Sequence, residues 1–128
     1  MKIVLFGEDH AGMRERLGWQ MELLGWLPIP AKHGKEGVEK AISEQPDLIL
    51  MDIMMPGMDG WAAARELRAN PETKNIPILA ATALFRDSDL KGCLDAGCNA
   101  YIVKPFTLQE IQEKVREFIA SDNSSLPT

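Results

Sequence analysis

The chain has 128 residues, a net charge of −5 and 26% charged side chains, which allows one domain with a real core. Without a basic stripe, direct binding to a nucleic-acid backbone is not expected. No stretch has the length and apolarity of a signal-peptide core or a membrane span, so the expected location is cytoplasmic, and Cys93 and Cys98 read as small buried hydrophobes.

Ile3 to Phe6 is a short continuous apolar run, the pattern of a strand covered on both faces, and it ends at Gly7, Glu8 and Asp9. From Ala11 to Leu24, the apolar residues Met13, Leu17, Met21 and Leu24 recur at helical spacing and predict one core-facing stripe. Trp19 is read as packing, and His10 as an exposed loop residue. Trp26 to Ala31 resembles a strand carrying Pro28 and Pro30, and proline is tolerated only where no ladder hydrogen bond is needed. This strand therefore belongs at a sheet edge, with both prolines facing the open side. His33 reads as surface. Gly34 opens a second helix with Val38, Ala41 and Ile42 inward, ending near Gln45 and Pro46.

Leu48, Ile49, Leu50 and Met51 form the next buried strand, and Asp52 stands at its carboxyl end. Read alone, Asp52 also fits a simple cap on the turn that follows. Asp59 is a candidate N-cap for a helix over Gly60 to Ala69, closed by Asn70 and Pro71. Ile78 to Ala81 makes a fourth strand ending at Thr82 and Ala83. A short helix begins at Asp87 and stops at Gly97, and Tyr101 to Val103 forms a fifth strand ending on Lys104 and Pro105. Thr107 and Glu110 have capping-box spacing, followed by an inner face of Leu108, Ile111, Val115, Phe118 and Ile119. We expect the domain to occupy residues 1–120 and residues 121–128 to form a disordered tail.

Five short strands alternating with five helices imply an α/β protein with a doubly wound parallel sheet, helices on both faces. In that architecture the carboxyl ends of the strands share one edge, which is where ligands bind. Glu8, Asp9, Asp52, Thr82 and Lys104 all end strands. Three crowded carboxylates repel one another unless a cation joins them, and an oxygen-only donor set points to Mg²⁺. A lysine and a hydroxyl opposite suit a phosphoryl group, so the cluster reads as phosphoryl transfer onto an aspartate.

The pair Glu8-Asp9, the block from Met51 through Asp52 to Gly60, the run Ala81, Thr82, Ala83, and the run from Tyr101 through Lys104 and Pro105 to Phe106 resemble the receiver domains of two-component response regulators. The likeness covers essentially the whole chain to about Ile119. It implies a CheY-like (flavodoxin-like) sheet of order 2-1-3-4-5 and an Asp52 that accepts a phosphoryl group from a histidine kinase or histidine phosphotransfer protein. It further implies that Asp9, Asp52 and the backbone carbonyl of Met54 hold Mg²⁺, with Glu8 acting through water. Lys104, the Thr82 hydroxyl and the Ala83 N–H would cradle the phosphoryl oxygens, and Lys104-Pro105 would be a cis peptide. Thr82 and Tyr101 would act as switch residues, biasing the surface of the fourth helix, fifth strand and fifth helix toward a downstream target. Apolar Met54 and Leu84 stand where some relatives carry polar side chains, which leads us to expect slow self-dephosphorylation.

Three other readings compete. A receiver-like interaction module would lack Asp52, Asp9 or Lys104, and all are present. A haloacid-dehalogenase-type hydrolase needs a second Asp two residues after the nucleophile, where this chain has Met54. A nucleotide-binding flavodoxin-like protein needs a glycine-rich phosphate loop after the first strand, where this chain has Glu8 and Asp9. The start at Met1 favours a stand-alone regulator over an excised piece.

Overall fold

The computed structural model describes residues 2–55, 57–83 and 86–123. It contains β1 (Ile3–Gly7), α1 (Ala11–Leu23), β2 (Leu27–Ala31), α2 (Gly34–Glu44), β3 (Leu48–Asp52), α3 (Gly60–Ala69), β4 (Ile78–Thr82), α4 (Asp87–Asp95), β5 (Ala100–Val103) and α5 (Leu108–Asn123). All strand pairings are parallel, in the order β2-β1-β3-β4-β5. The expected fold class is therefore the observed one.

Two-residue periodicity in the strands divides the core into two layers. Leu5, Ile49, Met51, Ile78 and Ala80 pack toward α2, α3 and α4, through Val38, Ala41, Ala63, Ala64, Leu67, Cys93 and Ala96. Val4, Phe6, Leu48, Leu50, Leu79 and Ala81 pack toward α1 and α5, through Leu17, Met21, Ile111 and Val115. Each fully buried Leu or Ile contributes about 1.5–3 kcal/mol relative to exposure. Such strands have no solvent face, which is why they read as unbroken apolar runs rather than alternating ones.

At the edge, the Leu27 N–H donates to the Lys2 carbonyl (2.8 Å) and the Glu8 N–H donates to the Ala31 carbonyl (2.9 Å). Odd-numbered residues of β2 thus face β1, and Pro28 and Pro30 lie with their nitrogens on the open side, as expected. The capping box also forms: the Glu110 N–H donates to Thr107 Oγ1 and the Thr107 N–H donates to Glu110 Oε1, both at 3.1 Å.

Two expectations for α1 fail. Leu17 and Met21 are buried, but Met13 is exposed and lines a cavity beside the strand ends. Trp19 is 60% exposed, because two residues beyond Leu17 carry it about 200° around the helix, away from the core. Both histidines have a local role that their sequence context did not reveal. His10 Nδ1 accepts from the Met13 N–H (3.2 Å) and His33 Nδ1 from the Glu36 N–H (3.1 Å), so they cap α1 and α2. The fifth helix continues to Asn123, past the expected boundary at 120. Residues 124–128, Leu84 and the side chains of Phe118 and Ile119 lie outside the described residues.

Candidate functional site

Asp52 is the last residue of β3, the central strand, flanked by β1 and β4. It is only 6% exposed. The turn after it is fixed by close packing: a Cβ on Gly60 would lie 2.6 Å from the Asp52 carbonyl oxygen and 2.7 Å from Ile53 Cα. Only glycine lets α3 begin this close behind the strand end. Asp59 caps that helix, its Oδ1 accepting from the Ala62 N–H at 2.8 Å.

β1 delivers Glu8 and Asp9 to the same edge. Glu8, Asp9 and Asp52 each present an oxygen, and these atoms all lie within 4.8 Å of one another. Glu8 and Asp52 are buried, while Asp9 is exposed. β5 brings in Lys104, whose backbone N–H donates to the Thr82 carbonyl (2.7 Å) and whose peptide bond to Pro105 is cis. Lys104 Nζ lies 2.8 Å from Glu8 Oε1 and 2.8 Å from Asp52 Oδ2. The other Asp52 oxygen, Oδ1, accepts from the Met54 N–H at 3.0 Å.

The electrostatics follow from this crowding. Burial pushes Asp52 above the ordinary aspartate value, and the Lys104 hydrogen bond only partly offsets it. Glu8 also feels burial, but its bonds to Lys104 and the His10 N–H win and hold it below the usual value. Burial would lower Lys104, yet its bonds to Asp52 and Glu8 raise it. One ammonium is thus shared between two carboxylates, with Asp9 beside them.

The remaining expected site residues fall around this cluster. Thr82 is 1% exposed at the end of β4, and Ala83 is exposed and lines the same cavity as Asp52 and Lys104. That cavity, about 360 Å³, runs from the carboxylates past Met13, Leu17, Pro105 and Phe106. Tyr101 is half-buried against the α2–α4 layer. The Met54 side chain is 60% exposed. Sequence reasoning did not anticipate the Glu8–Lys104 contact, because it directed the lysine only toward an incoming phosphoryl group.

The family model of the response regulator receiver domain matches residues 4–116. The chain belongs to that family. Among curated receiver-containing relatives, a probable transcriptional regulator, ycf27, of Porphyridium aerugineum is 34% identical over 97% of this chain and 52% of its own length. The DNA-binding dual master transcriptional regulator RpaA of Synechocystis is 32% identical over 93% of this chain and 49% of its own. The chain spans about half the length of the curated relatives it matches. Among solved receiver structures, that of the sensor histidine kinase PA1611 from Pseudomonas aeruginosa, described with a magnesium ion in the active-site cleft, superposes with a TM-score of 0.86. It is 33% identical and covers 93% of this chain and 98% of its own. The Vibrio cholerae chemotaxis protein CheY4 superposes with a TM-score of 0.87 at 25% identity, covering 91% and 98%. No described helix of this receiver domain is long and apolar enough to cross a membrane.

Proposed function

We propose that the chain is a phosphoacceptor switch in which Asp52 takes a phosphoryl group from a histidine kinase or histidine phosphotransfer protein. The observation that carries this reading is the buried Asp52 bound to Lys104, with two further acidic residues within reach. An Asp52 oxygen forms a bond to phosphorus as the P–N bond of the donor phosphohistidine breaks. The electron pair stays on the imidazole, which takes a proton from solvent. Asp52 needs no general base for this step once it is ionised.

Three oxygen-bearing acids gathered around one point suit Mg²⁺, a hard cation that accepts carboxylates and keeps water for a phosphate to replace. Asp9, Asp52 and the Met54 carbonyl would hold it, with Glu8 acting through water. Bound there, it would neutralise charge on the phosphoryl oxygens. Lys104, already within reach of Asp52, pairs with the phosphoryl group, and the Thr82 hydroxyl and Ala83 N–H complete its cradle. Thr82 moves toward the phosphoryl group and Tyr101 turns into the space it leaves, with Pro105 at the adjoining turn. The surface of α4, β5 and α5 then changes its affinity for a downstream target. The net charge of −5 favours a protein target over direct DNA contact by these residues. A cytoplasmic location fits a kinase partner of this kind.

The test is intact mass after incubation with a small-molecule phosphodonor, with and without Mg²⁺, for the wild type and Asp52→Ala. A single Mg²⁺-dependent phosphoryl increment that vanishes in the variant is expected. No increment, even with a competent histidine kinase and an intact fold, would give the lead to an interaction module. Followed over time, the increment should persist beyond seconds and decay faster in Met54→Asn, since the apolar side chain of Met54 gives an attacking water no partner. Equal decay in both proteins would remove that part of the reading.

A further inference from the structure

Two of the three acidic residues sit on the short turn between β1 and α1, and one residue holds that turn from behind. Arg14 Nη1 donates to the Glu8 carbonyl at 2.9 Å and to the Asp9 carbonyl at 3.2 Å. The Arg14 backbone N–H donates to the His10 carbonyl at 2.8 Å. That last bond is the ordinary first-turn bond of the helix, and the side chain itself takes the two successive carbonyls of Glu8 and Asp9. Each carbonyl lies in its peptide plane, so holding two successive carbonyls limits how the backbone between them can turn. Arg14 thereby constrains the stretch of backbone from which Glu8 and Asp9 project.

The charge of Arg14 makes this placement informative. Among the described residues it forms no ion pair, and a guanidinium beside a cation site opposes the cation through Coulomb repulsion. Its contribution to a metal site must come from geometry and has to exceed its own electrostatic cost. Both bonds leave one nitrogen, Nη1; a lysine would keep the charge, but its ammonium sits on a flexible stem without the rigid guanidinium plane that holds Nη1 in one direction.

We propose that Arg14 is a positioning residue for the divalent cation: by gripping the Glu8 and Asp9 carbonyls it holds the two acidic side chains in the arrangement the ion requires. This rests on the Mg²⁺ reading of the previous subsection. Groups that orient metal ligands from outside the coordination shell commonly cost about tenfold or more in affinity when removed.

The experiment is a Mg²⁺ titration of the full chain, followed through the backbone amide NMR shifts of residues 8–10 and 52–54, for the wild type, Arg14→Ala and Arg14→Lys. Thermal midpoints are measured alongside. Both variants are expected to bind Mg²⁺ about tenfold more weakly, although Arg14→Ala has lost a repelling charge. If Arg14 acted by charge alone, Arg14→Ala would bind more tightly and Arg14→Lys like the wild type, and the proposal would be overturned. A lower thermal midpoint with unchanged Mg²⁺ affinity in both variants would overturn it too, leaving a purely structural anchor. Should Arg14→Ala not fold, Arg14→Lys alone decides between these outcomes. A wild type whose shifts do not respond to Mg²⁺ would instead sink the metal reading itself, before either variant is considered.

Discussion

The sheet has a cation at each of its two ends, and the two are held in opposite ways. At the carboxyl edge, Lys104 is gripped by charged oxygens of Glu8 and Asp52. At the amino edge, Arg68 of α3 donates to the carbonyls of Gly97 (2.8 Å), Lys74 (2.9 Å) and Ile76 (2.7 Å) and to Asn99 Oδ1 (2.6 Å). Burial lowers the affinity of Arg68 for its proton, and no carboxylate is among the causes that act on it. The Arg68 acceptors belong to the loops before β4 and β5, whose paths are fixed by the fold, so this network has one arrangement. The acceptors of Lys104 are carboxylates that the proposed metal or phosphoryl group would also seek, so under that reading this network can exchange partners. On the proposed function, one end is built to stay and the other to be rearranged.

The widest separation between the two ends should come from removing each cation. Arg68→Ala loses four hydrogen bonds and is expected to cost about 3 kcal/mol, since bonds from a charged donor each contribute 1.5–3 kcal/mol and do not add fully. Thermal unfolding should show the same deficit with and without Mg²⁺. Lys104→Ala should cost about 2 kcal/mol, discounted from a fully buried pair because the ammonium keeps some solvent contact. Here Mg²⁺ should recover much of the loss, because the ion replaces the missing positive charge between the carboxylates. A Lys104→Ala deficit that ignores Mg²⁺, or an Arg68→Ala deficit that responds to it, would break the comparison.

A separate effect should appear in alkali. Cys98, at the amino edge near Arg68, is pushed up to about 12 by burial and by Cys93, against a pull downward from Arg68. The folded protein therefore holds the thiol proton more tightly than the unfolded chain. The stability it contributes is complete below the ordinary thiol value of 9.0 and is lost as pH rises toward about 12. Denaturant unfolding across that window should show a downward slope in the wild type that is shallower in Cys98→Ala. An identical slope would show that Cys98 plays no part in it.

Much of this molecule was legible because its signals are local or repetitive. Unbroken apolar runs gave β1, β3 and β4, and Pro28 and Pro30 placed β2 at an edge. Polar residues at four strand ends located the site, since a parallel sheet carries all of those ends to one side. What escaped shares a cause. Arg14, and Arg68 in three of its four bonds, bind backbone carbonyls, which every residue possesses, so those partners leave no trace in residue type. Met13 kept the helical spacing of a core residue but lines the cavity beside the strand ends, in the first turn of α1. His10 and His33 cap helices through Nδ1, a task more often given to Ser, Thr, Asp or Asn.

The contact between α3 and α4 is closed by a small sulfur bond: Trp61 Nε1 lies 3.3 Å from Cys93 Sγ. The three tryptophans accordingly sit in three media, Trp19 in water, Trp26 in the core at 8% exposure, and Trp61 against a thiol. Thiols drain the excited state of indole. The chain's emission is therefore expected to combine a red-shifted band from Trp19, a blue band from Trp26 and a dimmed one from Trp61. Parting α3 from α4 would brighten only the last, giving the protein an optical gauge of that seam with no label attached.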